Sequence, residues 1–150
     1  MKTTMFLLSV FLILSFSVRG QNGQNVPEAV KTAFAKQFPN ATKVKWSKEN
    51  DKEWEAEFKT DGKAYSANFN SEGKWLETEY KISSNEIPAT VLSAIAKEFA
   101  GYKTEESEVS ETAKGKVYEF ILSKGEEKIE AAFSPDGNLL SKKMITKTAH

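Results

Sequence analysis

Residues 53–80 read EWEAEFKTDGKAYSANFNSEGKWLETEY, and apolar and polar side chains alternate along them in three successive runs. Turn-forming residues separate the runs at Asp61-Gly62 and at residues 71–73. A period of two is typical of a strand that buries one of its faces. The stretch therefore predicts an antiparallel meander, whose buried face carries Trp54, Ala56, Phe58, Tyr65, Ala67, Phe69, Leu76, Thr78 and Tyr80.

A helix and a first strand are predicted upstream of this meander. Residues 26–38 place Val30, Ala33, Phe34 and Phe38 on one helical face, and Pro27 suits the first turn. Residues 43–47 alternate again and predict a strand with Trp46 facing the core. The order is therefore one helix followed by four strands.

The same order recurs in the second half of the chain. Ile87-Pro88 corresponds to Val26-Pro27 at an offset of about 61 residues, and Tyr118 corresponds to Trp54 at an offset of about 64 residues. The change predicts about three extra residues in a loop at 110–115. A second helix is expected over 87–99, followed by strands at 102–110, 116–123, 128–133 and 139–145.

Two such units predict a two-layer α+β fold. The simplest packing is one antiparallel sheet of about eight strands with both helices on one face, which leaves the other face to solvent. We assign the first repeat to residues 26–80 and the second to residues 87–145.

The N-terminal residues predict export. Residues 1–20 combine Lys2, an apolar run over 6–18 and compact residues at 18–20, which is typical of a secretory signal peptide. The run is shorter than the ~20 residues that a membrane span needs. Residues 21–25 are polar and are expected to be disordered. We expect a periplasmic or secreted protein that does not insert into a membrane after cleavage.

Composition excludes several classes of function. The chain has no cysteine and a single histidine, His150, which removes thiolate chemistry and the usual catalytic and metal-binding imidazoles. Without residues 1–20 it holds 19 basic and 21 acidic residues, a balance that argues against nucleic-acid partners. We therefore predict a non-catalytic protein that needs no cofactor and no metal.

Carboxylates form the remaining candidate chemistry. Glu53, Glu55 and Glu57 share one strand face, and Glu77 and Glu79 share another. Adjacent acidic strands could bind Ca²⁺. The preferred interpretation is a solvated face on which nearby lysines supply cross-strand partners.

Several short motifs together resemble the PepSY-like family of exported, beta-lactamase-inhibitor-like proteins. They include Val26-Pro27, Val44-x-Trp46 and the alternating strands, and the resemblance spans residues 26–145. It implies a fold like that of beta-lactamase inhibitory protein, and binding rather than catalysis. No residue match identifies an inhibited enzyme.

The sequence predicts a partner-binding strip on the open side of the sheet. If Leu76 faces the core, its neighbour Trp75 faces outward, and the repeat places Leu139 at the equivalent position. The predicted strip consists of Trp75, Val117, Ile121, Ala132 and Leu139, edged by Glu77, Glu119, Lys128 and Lys143. The functional hypothesis is a monomeric binding module for a cell-envelope protein, as an inhibitor or sensor. The alternative is a small-molecule or calcium-binding protein with a cleft between the repeats.

Overall fold

A computed structural model describes residues 25–145 of the chain. The predicted signal peptide, residues 21–24 of the polar segment and His150 lie outside the described residues. Within the described part, neither helix is long and apolar enough to cross a membrane.

Two ten-residue helices begin directly after prolines. Helix α1 spans Glu28–Gln37 and follows Pro27, and helix α2 spans Ala89–Glu98 and follows Pro88. Both prolines have φ near −60°, and the carbonyl of Pro27 accepts hydrogen bonds from the amides of Val30 and Lys31. The prolines therefore lie just before the first helical turn rather than within it, and both predicted helices are confirmed.

Eight strands form one antiparallel sheet in which spatial order equals chain order. The first four follow α1, and the last four follow α2, as the duplicated pattern predicts. Their bounds are β1 Thr42–Asn50, β2 Glu53–Thr60, β3 Lys63–Asn70, β4 Trp75–Lys81, β5 Lys103–Thr112, β6 Gly115–Lys124, β7 Glu127–Phe133 and β8 Leu139–Met144. We call α1–β4 the first module and α2–β8 the second module. The segment between them includes one 3₁₀ turn at Ser84–Glu86.

Each helix packs against the sheet of its own module and makes a separate core. Val30 and Phe34 of α1 lie in one cluster with Phe58 and Phe69, whereas Val91 and Ile95 of α2 lie in the cluster that holds Phe120 and Phe133. Phe69, Phe120 and Phe133 are completely buried. Both helices thus cover the same face of the sheet, which confirms the predicted two-layer α+β architecture.

The two cores place a large side chain on different strands of one equivalent residue pair. In the first module, Trp46 of β1 pairs with the small Ala56 of β2. In the second, the small Ser107 of β5 pairs with Phe120 of β6. Directly paired residues share a face, so each pair holds one large and one small side chain. The large side chain has moved from one strand to its neighbour.

This comparison also locates the extra residues of the second repeat. Trp46 and Ala56 are ten positions apart, whereas Ser107 and Phe120 are 13 positions apart. The connection from Thr112 to Gly115 is nevertheless tight, because these two residues pair with each other. The insertion therefore lengthens the β5–β6 hairpin, and the expectation of an enlarged loop at 110–115 is wrong.

Equivalent β-bulges lie near the beginnings of β4 and β8, and they change which face of the sheet the first residue of each strand occupies. Asn68 pairs with Glu77 and Phe69 pairs with Trp75, so Leu76 is an extra residue in β4. Likewise, Ala132 pairs with Ser141 and Phe133 pairs with Leu139, which makes Leu140 the extra residue in β8. A bulge of this kind exchanges the faces on its two sides.

The predicted outward orientation of Trp75 and Leu139 is consequently wrong. Trp75 packs against the first core, where its Nε1 donates a 2.8 Å hydrogen bond to the Thr78 hydroxyl. Leu139 lies on the same face as the buried Phe133, although it is 39% exposed. Leu76, expected in the core, is the bulge residue.

Glycines next to the bulges lie directly against the helices. Gly73 and Gly137 both adopt left-handed backbone, with φ of +84° and +82°. A Cβ added at Gly73 would be 2.5 Å from the carbonyl oxygen of Ala29, and one at Gly137 would be 2.6 Å from that of Thr90. Only glycine fits both the backbone angle and the approach, so each turn sets the distance between helix and sheet.

Candidate protein-binding face

The candidate site is the side of the sheet that faces away from both helices. We call it the open face and define it by the outward positions of β2–β7, among them Glu55, Glu79, Glu119 and Ile121. Within residues 25–145 the two helices pack only on the other side. The face runs without interruption across both modules, because β4 and β5 are hydrogen-bonded neighbours.

Three of the five predicted strip residues lie on this open face. Val117 pairs with Ser110, Ile121 pairs with Glu130, and Ala132 pairs with Glu119. Ile121 is only 6% exposed and Ala132 only 8%, so neighbouring side chains of the same face cover most of their surface. With Trp75 and Leu139 on the opposite face, the apolar strip is smaller than the sequence predicts.

Carboxylates occupy the centre of the open face. Glu77 and Glu79 on β4 pair with Thr112 and Ser110 on β5. Glu108, the next residue of β5 on this face, pairs with Glu119 on β6. Glu55 on β2 contributes a further carboxylate. Glu119 is only 7% exposed, which is unusual for an ionisable side chain.

Burial raises the pKa of these central carboxyl groups. For Glu79, burial and the carboxylates of Glu77 and Glu119 together raise the pKa to about 8. For Glu119, burial and the carboxylates of Glu77 and Glu130 raise the pKa to about 7. Burial also raises the pKa of Glu55. The centre of the face therefore gains negative charge as the pH rises through the neutral range.

Hydroxyl groups and edge lysines complete the polar lining. The Ser110 hydroxyl, which is 2% exposed, donates a hydrogen bond to the Glu77 carboxylate. Lys81 lies 3.1 Å from the Glu106 carboxylate and 3.9 Å from that of Glu108. The Lys128 and Lys143 positions, predicted as the rim, lie on the open face beside β6 and β7. Lys81 lies at the end of β4, and Lys128 and Lys143 lie on β7 and β8, so the centre of the face remains rich in carboxylates.

The sequence singled out Glu79 as a candidate carboxylate and Glu119 as an edge of the predicted strip, but it did not reveal that the two lie close together. Their alternation with buried residues placed them outward correctly. Their closeness depends on the β4–β5 and β5–β6 registers, which bring them onto neighbouring rows of one face. The available signal was that acidic residues occupy the outward positions of the strands in both repeats, which would place them on one face of a shared sheet.

The residues of the open face do not form a recognisable metal centre. Across residues 25–145 there is no group of three or more His, Asp or Glu side chains arranged to hold a metal ion. The carboxylates instead form a broad, partly protonated surface that can accept hydrogen bonds and attract positive charge.

Comparison with known proteins agrees with this architecture. The fold defines a class of two-layer α+β proteins that are built from a duplicated helix-and-strand unit. The family described as "Putative beta-lactamase-inhibitor-like, PepSY-like" matches the chain over residues 22–65 and again over residues 52–141. The chain belongs to this family, as the resemblance of its motifs predicted. A search of curated proteins finds no match.

Solved structures share the fold over most of their length. A BLIP-like protein from Bacteroides fragilis is 26% identical with a TM-score of 0.71, and the alignment covers 83% of this chain and 92% of that one. A protein from Bacteroides eggerthii described as "putative periplasmic" is 23% identical with a TM-score of 0.74, covering 81% and 90% respectively. These similarities establish the shared architecture.

Proposed function

We propose that this chain is an exported, non-catalytic binding module that recognises a protein of the cell envelope through the open face. The observation that carries the proposal is a continuous eight-stranded surface, with both described helices packed on the opposite side. Family membership supports a binding role, since the family description is inhibitor-like. We treat residues 26–80 and 87–145 as the two repeats and the module as a monomer.

Export is supported by the signal-peptide pattern of residues 1–20 and by a structural neighbour described as periplasmic. A signal peptide would be removed on export. Mass spectrometry of the exported protein should therefore find an N-terminus near Gln21. An exported chain that retains residues 1–20 would contradict this part of the proposal.

The chemistry of the face favours a partner with basic groups at the contact. Carboxylates lie at its centre, and Val117, Ile121 and Ala132 add apolar side chains to it. Charge complementarity of this kind accelerates association and makes it sensitive to salt. Binding should weaken as ionic strength increases.

A photo-crosslinking experiment tests the face directly. A photoreactive amino acid at Val117, on the open face, should crosslink to an envelope protein in cells. The same residue at Leu92, which is 45% exposed on α2, provides the matched control on the opposite side. The partner captured from Val117 should then bind the purified protein, and Val117→Arg should weaken that binding while Leu92→Arg should not. Equal capture from Leu92, or unchanged binding by Val117→Arg, would contradict the proposal.

A further inference from the structure

A groove of about 540 Å³ lies on the helix-covered side, where the two modules meet. Helix α1 and strands β2–β4 supply most of its lining, and the inter-module segment and β5 supply the rest. Its volume lies within the range of about 300–1,000 Å³ that is typical of small-molecule sites. The lining residues that matter here are Phe58, Tyr65, Trp75, Thr78, Tyr80 and Glu111.

The floor of the groove is a connected row of aromatic rings. The ring centroids of Phe58 and Tyr65 are 5.6 Å apart with nearly parallel planes, and those of Tyr65 and Tyr80 are 5.2 Å apart. Phe38 extends the row from the end of α1, at 4.7 Å from Phe58. Tyr65, Tyr80 and Phe38 are only partly buried, so their ring surfaces are available to a planar ligand.

The charged groups of the groove already neutralise one another. The Lys63 ammonium is 2.9 Å from the Glu86 carboxylate at one end. The Glu111 carboxylate is 2.7 Å from the Lys116 ammonium and also accepts a 2.8 Å hydrogen bond from the Tyr80 hydroxyl. Each carboxylate that lines the groove therefore has a cationic partner. The groove therefore offers an ionic ligand no unpaired carboxylate, which favours an uncharged ligand.

One buried hydroxyl in the groove can still donate a hydrogen bond. Thr78 is 6% exposed, and its Oγ1 accepts the hydrogen bond from Trp75 Nε1. A threonine hydroxyl that accepts a hydrogen bond keeps its own proton as a donor. A hydrogen-bond acceptor on a ligand would satisfy it.

We propose that the inter-module groove binds a small, uncharged, planar aromatic molecule that carries a hydrogen-bond acceptor. The aromatic part stacks on the Tyr80 ring and contacts Tyr65, whose plane is tilted by 50° from that of Tyr80. The acceptor receives the Thr78 proton. This site lies on the opposite side of the sheet from the open face. Its existence does not depend on the protein-binding role.

The test is an NMR titration of the exported protein with coumarin, an uncharged planar compound with a carbonyl acceptor. Saturable shifts should concentrate on Tyr65, Thr78 and Tyr80. The similarly sized ions 2-naphthoate and 1-naphthylmethylammonium should bind at least tenfold more weakly. Tyr80→Leu should weaken coumarin binding about tenfold, and Thr78→Val should weaken it several-fold.

Two further variants keep the test independent of folding defects. Gln37→Trp changes an exposed residue at the groove wall and should block coumarin without disturbing the core. Leu92→Arg, at a 45% exposed position of α2 outside the groove lining, should leave coumarin affinity unchanged. The proposal fails if groove signals show no saturable shift, if Gln37→Trp binds as well as the parent, or if either ion binds as tightly as coumarin.

Discussion

Replacing Glu79 with glutamine should stabilise the protein in alkaline solution and have little effect in acid. The pKa of Glu79 is about 8 in the folded protein, against an ordinary value of 4.5. Between these values the folded state retains a proton that the unfolded chain has released. The stability of the parent protein should therefore fall as pH rises through this window and level off above pH 8. Glutamine cannot ionise, so the stability of the variant should not fall with pH for this reason.

The size of the effect follows from the shift. One pKa unit corresponds to about 1.4 kcal/mol, so the rise from 4.5 to about 8 corresponds to at most about 5 kcal/mol. Solvent still reaches part of the carboxyl group and screens its charge, which reduces the expectation to about 2–3 kcal/mol. The unfolding free energy of Glu79→Gln, relative to that of the parent protein, should therefore increase by this amount between pH 5 and pH 9.

Urea denaturation at a series of pH values measures the difference. The matched control is Glu72→Gln, because Glu72 is exposed in the β3–β4 turn and should change the unfolding free energy by less than about 0.5 kcal/mol at either pH. If Glu79→Gln shows the same difference from the parent at pH 5 and pH 9, the buried, protonated state of Glu79 is refuted.

Three further predictions concern the core and the turns. Phe69→Ala should lower the unfolding free energy by about 3–5 kcal/mol in urea titrations, because Phe69 is completely buried; a loss below about 1 kcal/mol would contradict its position. Gly73→Ala should be more destabilising than Gly62→Ala, because both glycines have positive φ but only the Cβ at Gly73 meets a helix carbonyl; equal losses in thermal melts would contradict this. Ser107→Trp and Phe120→Ala should each destabilise the second module, and the double variant should recover part of the loss because it recreates the pairing of Trp46 with Ala56. Simple additivity in denaturation experiments would show that the two positions do not compensate.

Alternation of side chains was sufficient to predict the layers of this fold. It correctly placed Phe58, Phe69 and Phe120 in the core and Glu79 and Glu119 on the outside. Duplication, rather than alternation, predicted β5 in an acidic segment, because the repeat required a strand there. These features depend on local period and on duplication, both of which are properties of the sequence itself.

The bulges could not be predicted from alternation, because they interrupt it. Trp75-Leu76 and Leu139-Leu140 are adjacent apolar pairs at equivalent positions, and either member of a pair could face the core. In the structure, Gly73 and Gly137 contact the helices, and the first member of each pair, Trp75 or Leu139, lies on the helix side of the sheet. Adjacent large apolar residues after a glycine turn are the signal that indicates such a bulge.

The raised pKa values and the groove arise from distances between strands. The β4–β5 and β5–β6 registers bring the carboxylates of Glu79 and Glu119 near each other, and the meeting of the modules places Tyr80 beside Glu111. A single strand carries no information about its lateral neighbours. The chemistry of both candidate sites therefore required the assembled sheet.

The agreement between strand order and chain order has a consequence for how this protein folds. Six of the seven strand pairings join consecutive strands through short turns, so each can form with little loss of chain entropy. The pairing of β4 with β5 is different, because the 3₁₀ turn and α2 lie between these strands. Local pairings generally form faster than distant ones. Each module can therefore assemble its own hairpins and helix first, and joining β4 to β5 is the step that completes the sheet and creates the open face and the groove together.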